Sequence, residues 1–298
     1  MFVTGNLWTG RYAKVGSGHE VNPSPERSMS DSKNNATEAE LTYSNDLHLP
    51  TLLQLQTPRS EPVEHDEMLF IVIHQTYELW FKVLLHELEK IRHNLSANQL
   101  YRAISTFKRC RTIMKTLVGQ LDILETMTPM SFGSFRDRLD TSSGFQSTQF
   151  REVEFMLGYK RKDVVKYLPE DSPGISAVRQ RLHEASLVDH FYDFIEANGA
   201  EIPGELRQRD ITEPAIPNAQ VQQILLQYYR SRPDLSILFE LMTDFDEGLQ
   251  EWRYRHVKIV ERTIGNKRGT GGSPGVEFLK KSLFKPVFAD LWAIRHKL

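Results

Sequence analysis

Apolar residues recur at helical spacing along most of the chain beyond residue 40, and two of the resulting stripes contain a histidine. One runs from Phe245 through Leu249 and Trp252 to Ile259, Val260 and Thr263, with His256 inside it. The other places His74 one turn after Phe70 and two turns before Phe81. The stretch from Pro62 to His93 has no interior proline or glycine and is rich in helix formers. The pattern predicts helices over 46–55, 62–94, 97–127, 147–158, 174–185, 187–198, 218–230, 233–265 and 276–292, with no convincing strand ladder. Ser96, with Gln99 three residues on, is expected to form a capping box before the stripe of Leu100, Ile104, Phe107 and Ile113. Pro203, Pro214 and Pro217 mark 199–217 as a connection. Residues 1–40 are rich in Gly, Ser, Asn and charge and are expected to be a mobile tail. The expected architecture is all-α, with one helical domain over 41–298.

Composition narrows the functional classes. A chain of 298 residues with 40% hydrophobic and 10% aromatic residues can bury a large core. Lys+Arg 37 against Asp+Glu 39 leaves a net charge of -2, so no basic field points to nucleic acid or anionic lipid. Cys110 is the only cysteine, which excludes an intrachain disulfide and a cysteine-held zinc or iron-sulfur centre and suits a reducing cytosol. Uninterrupted apolar runs such as Met68–Ile73 are short for a bilayer, and the N-terminus lacks a basic-then-apolar signal pattern. A cytoplasmic protein that engages neither membrane nor nucleic acid is expected.

A buried imidazole needs a partner. By spacing alone, each histidine is either a core residue bonded to a carbonyl or a metal ligand, and two on separate helices could flank a flat cofactor. Other chemistries fit poorly. The Glu-x-x-His spacing of a di-metal bundle does not occur in the chain. In Gly269-Thr270-Gly271 the third glycine of a dinucleotide fingerprint would fall at Pro274. The neighbours His74, Tyr77 and Glu78 could support acid-base work, but such spacing is common in packing and no catalytic role is assigned to the trio.

Four long strings in order, HDEMLFIVIHQTYELWFK (65–82), ETMTPMSFGSFRD (125–137), SSGFQSTQFR (142–151) and WRYRHVKIVERTIGNKRGTGGSPGVEFL (252–279), closely resemble the tryptophan 2,3-dioxygenase family. The likeness runs from about Leu41 into the C-terminal region. It implies a helical-bundle haem dioxygenase that cleaves the indole C2–C3 bond of L-tryptophan with O2, both oxygen atoms remaining in N-formylkynurenine. It further implies one haem b (iron protoporphyrin IX) per subunit and a homotetramer built as a dimer of dimers.

The resemblance also assigns residues. His256 matches the family's proximal iron ligand, whose other ring nitrogen is expected to meet an acceptor, and one neutral imidazole leaves the sixth iron position open. His74 matches the distal histidine beside the indole nitrogen, and Arg136 the arginine whose fork takes the substrate carboxylate. Thr270 matches a contact to the amino-acid end of the substrate, and flanking glycines would let its loop fold over the ligand. Phe70 and Phe132 match aromatic positions lining the indole pocket; Leu139 and Ser143 match positions beside the distal haem face. Tyr43 lies in a segment that in the family crosses to a neighbouring subunit's active site. There the chain departs from the family, with Asp46 where a second aromatic is usual and Ser44 where Gly is frequent. By spacing alone Arg136 would be a surface ion-pair partner, Thr270 part of a flexible turn, and Phe70 and Phe132 core. A related indole dioxygenase of looser substrate choice, a haem sensor or carrier, and a helical partner-binding scaffold are the rival readings.

Overall fold

A computed structural model describes residues 41–265, 267, 269–270 and 275–298; the expected tail, 1–40, lies outside the described residues. Two compact units occur, one ending at Pro50 and one spanning Thr51–Leu298. Among the described residues there is no strand, so the all-α expectation holds.

The described part of the first unit carries α1, Tyr43–Asp46, closed by a capping box in which Thr42 accepts from Asn45. The predicted helix 46–55 does not form as one piece, because His48 takes a positive φ of 49° and separates α1 from α2, Leu49–Leu52.

The second unit is organised by three long helices: α3, His65–Ser96; α4, Leu100–Leu124; and, after shorter elements, α12, Pro233–Ile264. Helix α4 packs along both α3 and α12. Their contact is filled by Leu84, Leu88, Ile91 and Leu95 of α3, Phe107, Met114 and Leu121 of α4, and Phe239, Met242, Phe245 and Leu249 of α12. Each such side chain contributes roughly 1.5–3 kcal/mol on burial, which is how the apolar stripes become a bundle. By length and mean hydropathy α3 is apolar enough to cross a membrane, a property that its short uninterrupted runs conceal. Its buried Glu67, Glu87 and Asn94 and its packing on α4, α6 and α9 give it a place in the bundle instead.

The α3–α4 junction differs from expectation. Ser96 does not cap α4: α3 continues through it, and its hydroxyl meets His190 Nδ1 at 2.8 Å. Asn98, at φ 52°, makes the turn, and Gln99 N–H donates to the Asn94 carbonyl at 2.7 Å.

The segment after α4 contains an element that periodicity did not predict. Helix α5, Pro129–Arg136, begins where Thr128 accepts from Ser131 N–H at 3.0 Å with Pro129 in the first turn. The 3-10 turns Asp137–Leu139 and Gly144–Gln146 lead into α6, Thr148–Leu157. Helix α6 ends at Gly158, whose φ of 100° favours glycine, and the chain turns into Tyr159–Arg161. Short α7, Lys162–Val165, precedes α8, Ile175–Leu182, and α9, Leu187–Ala197, the last packed on α3. The expected connection holds a single turn of helix, α10, Gly204–Arg207, pinned as Arg207 donates to Asp193 and Arg209 to Asp189. Helix α11, Ala219–Ser231, then packs on α12. The predicted helix 276–292 is two pieces, α13, Val276–Lys280, and α14, Ala289–Ala293. Pro286 lacks an N–H between them and Phe284 has φ 57°, so no continuous helix can pass.

Candidate active site

A cavity of about 880 Å³ opens among α3, α5, α6, α12 and the loops beside them. That is near the upper end of the roughly 300–1,000 Å³ usual for one small-molecule site. Eight of the nine side chains singled out from the sequence line it: Phe70, His74, Phe132, Arg136, Leu139, Ser143, His256 and Thr270. Tyr43, the ninth, begins α1 with its side chain exposed.

The two histidines differ in their partners. His74 Nδ1 lies 2.7 Å from the Phe70 carbonyl one turn back. A carbonyl only accepts, so Nδ1 carries the proton and Nε2 is left as an acceptor. Burial pulls the His74 pKa down, opposed by the Phe70 carbonyl and by Glu78. The acceptor expected for the second ring nitrogen of His256 is not found among the described residues; the ring makes no hydrogen bond there and stacks on Trp252, with centroids 5.2 Å apart and planes 8° from parallel. Burial, then the neighbouring His74 and Arg151, push its pKa down to about 4, so the imidazole is neutral with free lone-pair capacity. It retains some accessible surface, as a residue lining a cavity does, while the surrounding protein desolvates the ring.

Around His74 the wall is aromatic. Phe70 lies 4.1 Å from His74 and 5.6 Å from both Phe132 and Phe135, centroid to centroid, and Phe132 meets Phe135 edge-on at 5.4 Å. Met127, Phe132 and Phe135 form a small core of their own, against which Phe70, Leu139 and Ile264 pack. This core holds α5 so that Arg136, in its last turn, lines the cavity. Ser143 accepts from Phe145 N–H at 3.3 Å, capping the second 3-10 turn. The extended segment at the rim is tied down by Glu67, which accepts from Arg59 N–H at 2.7 Å and Ser60 N–H at 3.1 Å.

Thr270 donates its hydroxyl proton to the Ser142 carbonyl and so joins two loops at the cavity. Gly269 is described and lines the cavity, whereas the glycine after Thr270 lies outside the described residues. Gly275 closes this loop at φ 67°, and a Cβ there would meet the Lys267 carbonyl at 2.8 Å, so only glycine fits.

The family model described as tryptophan 2,3-dioxygenase matches residues 27–172 and 209–298. The chain belongs to the tryptophan 2,3-dioxygenase family. A relative so named from Herpetosiphon aurantiacus is 52% identical over 258 residues, covering 87% of this chain and 98% of the relative. One from Anaeromyxobacter dehalogenans is 47% identical over 266 residues, 88% of this chain and 98% of its own length. A third, from Bacillus thuringiensis subsp. konkukian, is 40% identical over 261 residues, 87% and 93% respectively. Family membership makes the chain an oxidoreductase, and the helical architecture agrees with it.

Several groups at the cavity escaped the sequence reading. Phe135 is wholly buried against Phe70 and Phe132; reading Thr128-Pro129 as a helix start would have placed Phe132 and Phe135 on one face. Ser142 enters through its backbone carbonyl, which leaves no signature in a sequence. Arg151, Glu154, Arg161 and Arg253 also line the cavity and come together from two helices and a turn.

Proposed function

We propose that the cavity holds haem b through His256 and cleaves the indole C2–C3 bond of L-tryptophan with O2 to give N-formylkynurenine. The observation that carries this reading is the neutral His256 imidazole, unpaired among the described residues and set in a cavity that also contains the tautomer-fixed His74. Among the described residues no three His, Cys, Asp or Glu side chains converge as a metal cage. A lone imidazole therefore suits a metal already held by a macrocycle, and the volume and apolar lining of the cavity fit one.

When bound, the haem supplies the centre at which dioxygen is activated. The chain's own residues do the rest. His74 Nε2, left unprotonated because Nδ1 donates to Phe70, accepts from the indole N–H and orients the ring. Phe70 and Phe132 present ring faces and edges to the indole and keep water away from it, and Phe135, buried behind them, holds the two rings in place. Arg136 takes the carboxylate in a two-pronged grip, and Thr270, on the loop latched to Ser142, closes over the amino-acid end. Leu139 and Ser143 bound the space beside the haem.

The working unit is a homotetramer in which Tyr43 and its segment reach a neighbouring site. Leu41, Tyr43 and Leu47 of the first unit are exposed. In the second unit Met68, Val72, Leu79 and Val83 form an exposed stripe on α3, an apolar face that a second copy would cover. The charges along α3 disfavour lipid as that cover, and the cytoplasm is the fitting compartment. The deciding experiment is an optical spectrum of the reduced purified protein before and after L-tryptophan is added under air, with assay of ring-opened product. A haem band and product formation are expected; protein saturated with haem that forms no product would turn the reading toward a sensor or carrier.

A further inference from the structure

Resting on the haem reading above, a second feature of the cavity wall assigns the polar edge of the cofactor. Arg151 and Glu154 project from α6, Arg161 follows the Gly158 turn, and Arg253 lies on α12 three residues before His256. All three guanidiniums gather on one carboxylate. Arg151 pairs with Glu154 Oε2, Arg161 donates to the same oxygen at 2.8 Å, and Arg253 Nη2 stands 3.6 Å from Oε1. The side chains of Arg151, Glu154 and Arg253 are 5%, 2% and 4% exposed.

The cluster thus holds an excess of two positive charges away from bulk water. Among the described residues Asp246 adds some compensation, its carboxyl feeling the charge of Arg253. Asp246, two turns before Arg253, accepts from Phe288 N–H and Trp292 Nε1 and makes no ion pair with the cluster among the described residues. Arg253 Nη1 donates to the Lys285 carbonyl at 3.2 Å. Aromatic faces help: Arg151 sits 5.0 Å from the Phe150 centroid, and Arg161 and Arg253 sit 4.9 and 4.7 Å from that of Tyr159. Yet Nε of all three arginines and Nη2 of Arg253 are buried with no hydrogen-bond acceptor among the described residues. Buried guanidinium nitrogens left without an acceptor, in a cluster whose positive charges outnumber its carboxylate, are costly to hold. Its persistence on a cavity wall points to an anionic ligand group.

We propose that this cluster receives the two propionate carboxylates of iron protoporphyrin IX. These carboxylates are the only ionic groups on the periphery of that macrocycle, and their combined charge matches the excess of the cluster. Arg253 and His256 are neighbours on the surface of α12, so a porphyrin tethered at His256 has an edge near Arg253. Guanidinium forks suit carboxylates better than ammonium groups do.

The test titrates full-length protein stripped of haem with haemin and, separately, with haemin dimethyl ester, which keeps the iron and loses both charges. Soret absorbance reads binding in wild type, Arg151→Met and Arg151→Lys. Wild type is expected to prefer haemin. Arg151→Met should lose roughly tenfold to a hundredfold in haemin affinity, the range of a charge-assisted hydrogen bond, with unchanged affinity for the ester; Arg151→Lys should recover part of the loss. Equal wild-type affinity for the two porphyrins, or equal losses for both in Arg151→Met, overturns the proposal. Wild type that takes up neither removes the haem reading and this proposal with it. If circular dichroism shows Arg151→Met unfolded, Arg161→Met, at the less buried edge of the cluster, carries the same comparison.

Discussion

Helices α3 and α12 are both 32 residues long, and each brings one histidine to the same cavity. Their imidazoles are nevertheless in opposite chemical situations. His74 is bonded to the carbonyl one turn back, so its tautomer is settled and one acceptor nitrogen is on offer. His256 is stacked on Trp252 and bonded to no described residue. Both rings are desolvated, so burial does not separate a ligand from a positioning group. The local hydrogen bond separates them only in orientation: His74 has its tautomer settled with Nε2 on offer, whereas neither nitrogen of His256 is committed to a described residue, and it is the family match that makes His256 the proposed ligand.

This contrast predicts graded losses. The largest follows His256→Ala, for which haem content, read as the pyridine haemochrome, should fall to background together with ring opening, while far-UV circular dichroism keeps its helical form. Haem retained at wild-type level would show that α12 does not carry the ligand. Arg136→Ala comes next. Loss of a charge-assisted grip should lower kcat/KM for L-tryptophan by roughly tenfold to a hundredfold with haem content unchanged, and indole derivatives that lack the carboxylate should be insensitive to the change.

His74→Ala removes one neutral hydrogen bond, and about fivefold in kcat/KM is expected, again with full haem. The sign of the His74 shift adds a pH test. Burial lowers its pKa below the ordinary 6.5, so the acceptor lone pair stays available above that pH and is lost only on further acidification. The dependence of kcat/KM on His74, taken as the ratio of wild type to variant, should be flat from pH 6.5 to 8. A ratio that falls with a midpoint inside that range would show a protonated ring. The smallest effect belongs to Tyr77→Phe. Tyr77 lies on α3 edge-on to Trp252 of α12 and donates to the Leu117 carbonyl at 2.7 Å. About 1 kcal/mol of unfolding free energy should go in urea titration, with haem affinity unaltered; a parallel loss of haem would mean that this contact sets the His256 ring plane.

Much of the bundle was legible because its cause is local. In α3 and α12 the apolar period and the lack of internal breakers act within a few residues, and both helices form close to their predicted bounds. Legibility failed where a position depends on one backbone angle or a distant partner. His48 and Phe284 at positive φ split two predicted helices, and Ser96 bonds to His190 instead of capping α4. For the site, the resemblance supplied all nine residues, and the structure places eight of them on one cavity; periodicity alone had reached only the two histidines. Arg151, Arg161 and Arg253 carried no signal, since isolated arginines read as surface charge.

The sequence by itself determined the helical class, the two histidine-bearing stripes and the family, because periodicity and long matching strings are properties of neighbours along the chain. Tertiary structure alone brought the two histidines to one cavity and desolvated both rings there, and it gathered three guanidiniums on one carboxylate. Desolvation and pairing depend on what lies across the cavity from a side chain, and that is fixed only when helices far apart in the chain pack together.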